Sequence, residues 1–185
     1  KNVIRGQYTE ATVRGKHYKG YREETNVKPD SRTETYAAMK IYIDNWRWEG
    51  VPFYIRTGKR LPTQVSEVVI HFRPSPQRLF KTADNSPQSD NQLILRIQPD
   101  EGILLKTGMK VPGSGYEVKS VNMDFHYSEL NDHYIPGAYE RLILDCMAGD
   151  NMLFMQGAAA EETWKFVQPI LDYWENDKDA PLHGY

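Results

Sequence analysis

A period-two apolar pattern in the middle of the chain narrows its fold more than any other feature. Leu93, Leu95 and Ile97 interleave with Gln92, Ile94, Arg96 and Gln98, and Val121, Met123, Phe125 and Tyr127 interleave with Ser120, Asn122, Asp124 and His126. Side chains that alternate from face to face belong to strands, so both segments are expected to present an apolar face in a sheet. Residues 67–72, EVVIHF, form another expected strand, set between Pro62 and Pro74. Residues 35–43 stay ambiguous, because their alanines and Met39 suit a helix while Ile41, Tyr42 and Ile43 suit a strand. The last third changes period. Residues 138–147 and 161–174 read as helices, the second with Trp164, Val167, Ile170, Leu171 and Trp174 at spacings of three and four. Pro169 falls inside it and is expected to kink or interrupt it. Residues 74–91 and 108–115 read as loops, from Pro74, Pro76 and Pro87 in the first and the glycines of the second. Strands followed by helices imply an α+β layered fold.

One segment stands out for chemistry. Residues 44–62, DNWRWEGVPFYIRTGKRLP, set Trp46, Arg47 and Trp48 before a turn at Glu49-Gly50-Val51-Pro52. A short apolar run, Phe53-Tyr54-Ile55, then ends in Arg56-Thr57-Gly58-Lys59-Arg60. A strand that delivers cations to one end offers what a phosphate ester needs; a solvated basic loop fits the same spacing. Gly58-Lys59 is not a nucleotide phosphate loop, because the required glycine five residues earlier is Phe53 and the residue after the lysine is Arg60. Gly113-Ser114-Gly115 is not a dinucleotide fingerprint either, because Val118 stands where the third glycine belongs.

Composition excludes several function classes. The 23 Lys+Arg nearly cancel the 25 Asp+Glu, which gives no whole-chain attraction to nucleic acid or to an anionic membrane. No apolar stretch approaches the roughly 20 residues of a membrane span, and no signal-peptide pattern opens the chain. The single cysteine, Cys146, allows no internal disulfide; it follows Leu142-Ile143-Leu144 and reads as a small buried residue. A soluble protein of a reducing compartment, the cytoplasm, is expected. The five histidines show no ligand spacing, so no metal site is expected. At 185 residues the chain suits one domain and can bury about 70% of its unfolded surface, enough for a sizeable core.

The segment 44–62 resembles the C-terminal domain of the glucose-6-phosphate dehydrogenase family. The likeness extends to RGQYTEATVRGKHYKGYREE at 5–24, to the spaced hydroxyls Ser31, Thr33 and Thr35, to LILRIQPDEGI at 93–103 and to PGAYERLILDCMAGD at 136–150. It covers nearly all of residues 1–185 in the family's order. The resemblance implies one large, mainly antiparallel sheet with helices packed on one face, used for a homodimer or higher homo-oligomer. It also implies an N-terminal coenzyme domain before Lys1 and a short tail beyond Tyr185. The parent would oxidise glucose 6-phosphate to 6-phosphogluconolactone with NADP, at the entry to the pentose phosphate pathway. The competing reading is a non-catalytic sheet protein that assembles partners.

Site residues follow from the same resemblance. Lys59 matches the lysine of the family's RTGK-like motif, which reaches into the sugar-phosphate pocket. Gln98 matches the glutamine of RIQP-like sequence, and an amide both donates to and accepts from sugar hydroxyls. Gln64 departs from the family, which often carries Lys or Arg there, so one charge-assisted bond is missing; Arg60 is the nearest cation to replace it. Arg56, Arg96, Lys106 and Asp124 match a second, structural NADP site of some members. Val65 and Val69 replace two of that site's basic residues, so no cofactor is expected on this chain, and Arg96 and Asp124 are expected to pair within the sheet. Asp132-His133-Tyr134 resembles a substrate segment, but Ile135-Pro136-Gly137-Ala138 follows it, and His133 reads as a loop histidine. No catalytic base is expected on this chain.

Overall fold

Ladders on both sides make a strand out of the segment whose composition left it ambiguous. In the computed structural model, which describes residues 2–74, 81–82, 91–113, 115, 117–130 and 136–185, the chain divides into two units, residues 1–62 with 154–185 and residues 63–153.

The first unit begins with β1 (Val3–Gln7), followed by the ribbon of β2 (Ala11–Val13) and β3 (Lys16–Tyr18), then β4 (Tyr36–Ile41) and β5 (Phe53–Gly58). β4 pairs antiparallel with β1, Val3 opposite Met39 and Gly6 opposite Tyr36, and with β5, Tyr36 opposite Gly58 and Ile41 opposite Phe53. Two ladders outweigh the helical preference of Ala37 and Ala38. The β2–β3 turn is Arg14-Gly15, with φ of 52° and 77°. A two-residue hairpin turn with both φ positive matches strand twist, and it suits Asn-Gly better than Arg-Gly. Replacing Arg14 with Asn should therefore stabilise the hairpin by about 1 kcal/mol, since a non-glycine, non-Asn residue is penalised there. Slower amide exchange in the ribbon of the variant would show it; equal or faster exchange would refute it.

The second unit holds β6 (Ser66–His71), β7 (Lys81–Thr82), β8 (Gln92–Gln98), β9 (Gly102–Lys110) and β10 (Glu117–His126), in the order β6-β8-β9-β10-β7. All pairs are antiparallel except β10 with β7. The register aligns Val68, Leu95, Ile103 and Phe125 in one cross-strand row and Ile70, Leu93, Leu105 and Met123 in the next. These rows share one face, because residues directly opposite in a ladder point the same way. The other face carries Glu67, Arg96 and His126 along one row. Residues 108–110, expected in a loop, finish β9, because their ladder to residues 118–120 of β10 outlasts the sequence signal of Gly108.

Two helices complete the chain, α1 (Ala138–Ala148) in the second unit and α2 (Gly157–Asn176) in the first, with a short β11 (His183–Gly184) parallel to β1. The first unit's sheet thus runs β11-β1-β4-β5. The class is α+β and the pairing mostly antiparallel. The described strands make a four-stranded sheet, a five-stranded sheet and the β2–β3 ribbon, where the resemblance implied one large sheet. After β5, Arg60 turns left-handed at φ 49° and Pro62 lacks an N–H, so the first ladder stops there. α2 is helical through Pro169, whose missing N–H leaves only the Lys165 carbonyl without its helical donor.

Among the described residues the buried side chains are Ala180, Arg5, Gln7 and Thr35 in the first unit and Ile94, Leu104, Val118 and Asp145 in the second, fewer apolar ones than the chain's length led us to expect. Cys146 is exposed, against the expectation of burial. The helix turns Asp145 inward, while the apolar neighbours Ile143 and Leu144 are themselves 61% and 58% exposed. Among the described residues no helix is long and apolar enough to cross a membrane.

Candidate functional site

The basic strand end is held by a network local sequence does not reveal. Before β5, Asn45 Oδ1 accepts from the N–H groups of Arg47 and Trp48 at 3.1 and 3.0 Å, and the Trp48 ring packs edge-on against Phe53. At the far end of β5, a Cβ added to Gly58 would come within 2.7 Å of the Tyr36 ring, so only glycine fits there. Lys59 follows. Its N–H donates to the Thr35 carbonyl at 2.8 Å, and its own carbonyl accepts from the Tyr185 hydroxyl at 2.8 Å. The Lys59 side chain is exposed, and among the described residues its ammonium has neither an ion pair nor a hydrogen bond.

Arg60 behaves differently. Its guanidinium donates to Glu24 and lies over the rings of Tyr8 and Tyr18, 5.3 and 5.8 Å from their centroids. Hydrogen bonds that it donates to the Tyr8 phenol oxygen and to the Glu24 carboxylate push its pKa up. Of the two adjacent cations, Arg60 is committed to the scaffold and Lys59 is available.

The two candidate amides fall together in the second unit. Gln98 ends β8 opposite Ser66, and Gln64 lies two residues before Ser66, so both sit at one end of the five-stranded sheet. Both are exposed, and neither amide has a hydrogen-bond partner among the described residues. Lys59 belongs to the first unit.

The face of the five-stranded sheet that holds Glu67, Arg96 and His126, and with them the buried Ile94 and Leu104, carries the second cluster. Arg96 grips Asp124 bidentately, at 2.7 and 2.9 Å, and donates to His126 Nε2 at 3.2 Å. His126 Nδ1 lies 2.8 Å from Asp100 Oδ2. The Arg96 hydrogen bonds hold the Asp124 carboxyl below the usual carboxylate range, and Asp124 in turn raises Arg96. Arg96 and Asp124 therefore satisfy each other within the sheet. Lys106 lies on the same face, opposite Gln92 and Asn122, while Arg56 is exposed on β5 in the other unit. Val65 and Val69 are exposed and uncharged. His133 lies outside the described residues, and among those described no group of three or more His, Cys, Asp or Glu is placed to hold a metal.

Sequence reasoning singled out Lys59 but missed the groups that hold its backbone, Thr35 and Tyr185. Thr35 was visible as one of three spaced hydroxyls. Tyr185 carried no signal, because it lies 126 residues from Lys59 along the chain.

Comparison with known proteins locates this arrangement. Residues 1–185 match the family model described as glucose-6-phosphate dehydrogenase, C-terminal domain. The chain is 50% identical over 186 residues to a glucose-6-phosphate 1-dehydrogenase of Treponema pallidum, covering 100% of this chain and 36% of that protein. It is 54% identical over 172 residues to that of Aggregatibacter actinomycetemcomitans, covering 93% of this chain and 34% of that protein. Its structure is similar to a solved glucose-6-phosphate dehydrogenase in complex with its substrate glucose-6-phosphate, with a TM-score of 0.85, 36% identity, and coverage of 99% of this chain and 37% of that one. The chain thus spans about a third of the length of the relatives it matches.

Proposed function

This chain belongs to the family of glucose-6-phosphate dehydrogenase C-terminal domains, and we propose that it is the substrate-side and dimer-forming part of an NADP-dependent glucose-6-phosphate dehydrogenase. The observation that carries the reading is Lys59, an unpaired ammonium at a strand end with both its backbone N–H and carbonyl tied down. A fixed backbone limits where the side chain reaches, which suits a point charge that must meet phosphate or hydroxyl oxygens. Gln98 and Gln64 add neutral amides suited to sugar hydroxyls. In that reaction NADP, when bound, would supply the hydride acceptor for C1 of glucose 6-phosphate, with the C1 hydroxyl proton passing to a base to leave the lactone. This chain contributes binding and orientation. The base and the coenzyme loop belong to the longer polypeptide. No dinucleotide is proposed on this chain itself, because Arg96 is already neutralised by Asp124 and two positions that would add cations are valines.

The apolar face of the five-stranded sheet supports pairing between copies. Val68, Ile70 and Met123 on that face are 45%, 40% and 53% exposed. A stable pair buries about 1,200–2,000 Å² in total, within reach of such a face.

The test compares two proteins. The full-length protein should reduce NADP with glucose 6-phosphate, whereas residues 1–185 alone should show no turnover and should sediment as a dimer or larger species at micromolar concentration. Turnover by residues 1–185 alone, or none by the full-length protein, would contradict the enzymatic reading. A purely monomeric species would contradict the pairing.

A further inference from the structure

Tyr185 has an unusual position for a residue so far along the chain from Lys59. Its main chain is stitched to the strand-end region, with Thr9 N–H donating to Tyr185 O at 3.0 Å and Tyr185 N–H donating to Gln7 O at 3.3 Å. Its ring lies against Gly6, where an added Cβ would meet Tyr185 Cδ1 at 3.0 Å, and packs near Tyr36 and Tyr8 with centroids 5.4 and 6.5 Å away. The hydroxyl therefore arrives at Lys59 on a rigid arm.

Three oxygens surround that hydroxyl: the Lys59 carbonyl at 2.8 Å, and the Thr35 carbonyl and Thr35 Oγ1, each at 3.0 Å. The Tyr8 N–H donates to Thr35 Oγ1 at 2.9 Å, and Thr35 Oγ1 lies 3.0 Å from the Tyr185 hydroxyl. When Thr35 spends its proton on Tyr185 Oη, Tyr185 spends its own on the Lys59 carbonyl at 2.8 Å, the shortest of its contacts. The Lys59 N–H closes the loop on the Thr35 carbonyl at 2.8 Å. Linked hydrogen bonds of this kind reinforce one another. The next residue, Arg60, holds a left-handed backbone that resists spontaneous adoption by a non-glycine residue. The Lys59 carbonyl stands immediately before that turn.

We propose that Tyr185 is the positioning residue for Lys59: its hydroxyl fixes the Lys59 carbonyl and so aims the ammonium at the substrate's phosphate or hydroxyl oxygens. The proposal rests on the substrate role of Lys59 given above. Tyr185 touches no substrate in this account and acts only through Lys59.

Tyr185→Phe keeps the ring and its packing and removes only the hydroxyl. In the full-length protein it should raise KM and the equilibrium dissociation constant for glucose 6-phosphate about threefold to tenfold, the loss of one neutral hydrogen bond. kcat and KM for NADP should stay at parental values, and the melting temperature should fall by no more than the few degrees that one hydrogen bond is worth. In a Lys59→Ala background, Tyr185→Phe should have no further effect on substrate affinity. An unchanged glucose 6-phosphate affinity in Tyr185→Phe overturns the proposal. So does a joint fall of kcat, NADP affinity and melting temperature, or an equal loss of substrate affinity with and without the Lys59 amine, since these mark a merely structural hydroxyl. The two readings fail separately: a silent Lys59→Ala sinks the substrate role of Lys59, while an effective Lys59→Ala beside a silent Tyr185→Phe sinks the positioning role alone.

Discussion

Replacing Lys59 with alanine in the full-length protein should lower kcat/KM for glucose 6-phosphate by about 10- to 150-fold. The figure is the loss of one charge-assisted hydrogen bond, about 1.5–3 kcal/mol. The adjacent cation is already engaged. Arg60 is tied to Glu24 and to the face of Tyr8, and position 64 carries a neutral glutamine. Lys59→Arg should recover part of the loss, because it restores the charge but spreads it over a planar fork of different reach. KM for NADP should not move. Steady-state kinetics on the two variants measure all of this, and an unchanged kcat/KM in Lys59→Ala would remove Lys59 from the substrate site.

The second large effect concerns stability. Arg5 on β1 is 3% exposed, and its guanidinium donates to the carbonyls of Ala180 and Pro181 at 3.2 and 3.3 Å. It lies 3.9 Å from Glu34 and over the Trp174 ring, 5.3 Å from its centroid. Burial and the neighbouring Arg32 lower its pKa, while Glu34, Asp177 and Tyr173 oppose them. Arg5 thus fastens the segment that leads to Tyr185. Arg5→Ala should cost about 2–4 kcal/mol locally, from lost charged hydrogen bonds and lost packing of the side-chain stem. Amide exchange at Thr9 and Tyr185, which bond across this junction, should accelerate strongly, while Leu104 in the other unit stays protected. Unchanged exchange at Thr9 and Tyr185 would show that Arg5 does not hold the segment.

What could be read from sequence divides along a physical line. β8 and β10 were legible because their apolar residues recur with a period of two, and β6 because a short apolar run is bounded by prolines. β4 was not, because its alanines favour a helix and only its two partner strands decide otherwise. β9 was hidden because Ile103, Leu104 and Leu105 run on without alternation. Cys146 was misplaced because an apolar run gives a helix no direction: α1 turns Asp145 inward instead. In the candidate site, the cations of residues 56–60 were plain in the sequence. Which of them is free was not, since that depends on Glu24 and Tyr8, more than thirty residues upstream. The hydroxyl that pins Lys59 is farther still. Local pattern shows which groups a site holds; long-range hydrogen bonds decide which of them are spent on the scaffold.

The central claim is that the Lys59 ammonium meets the substrate. Its most direct test is the rate at which an amine-acylating reagent modifies Lys59 in the full-length protein, followed by peptide mass spectrometry, with and without saturating glucose 6-phosphate. The substrate should shield Lys59 and leave the exposed Lys165 reacting as before. Equal modification of Lys59 in both conditions, with substrate shown to be bound, would contradict the claim.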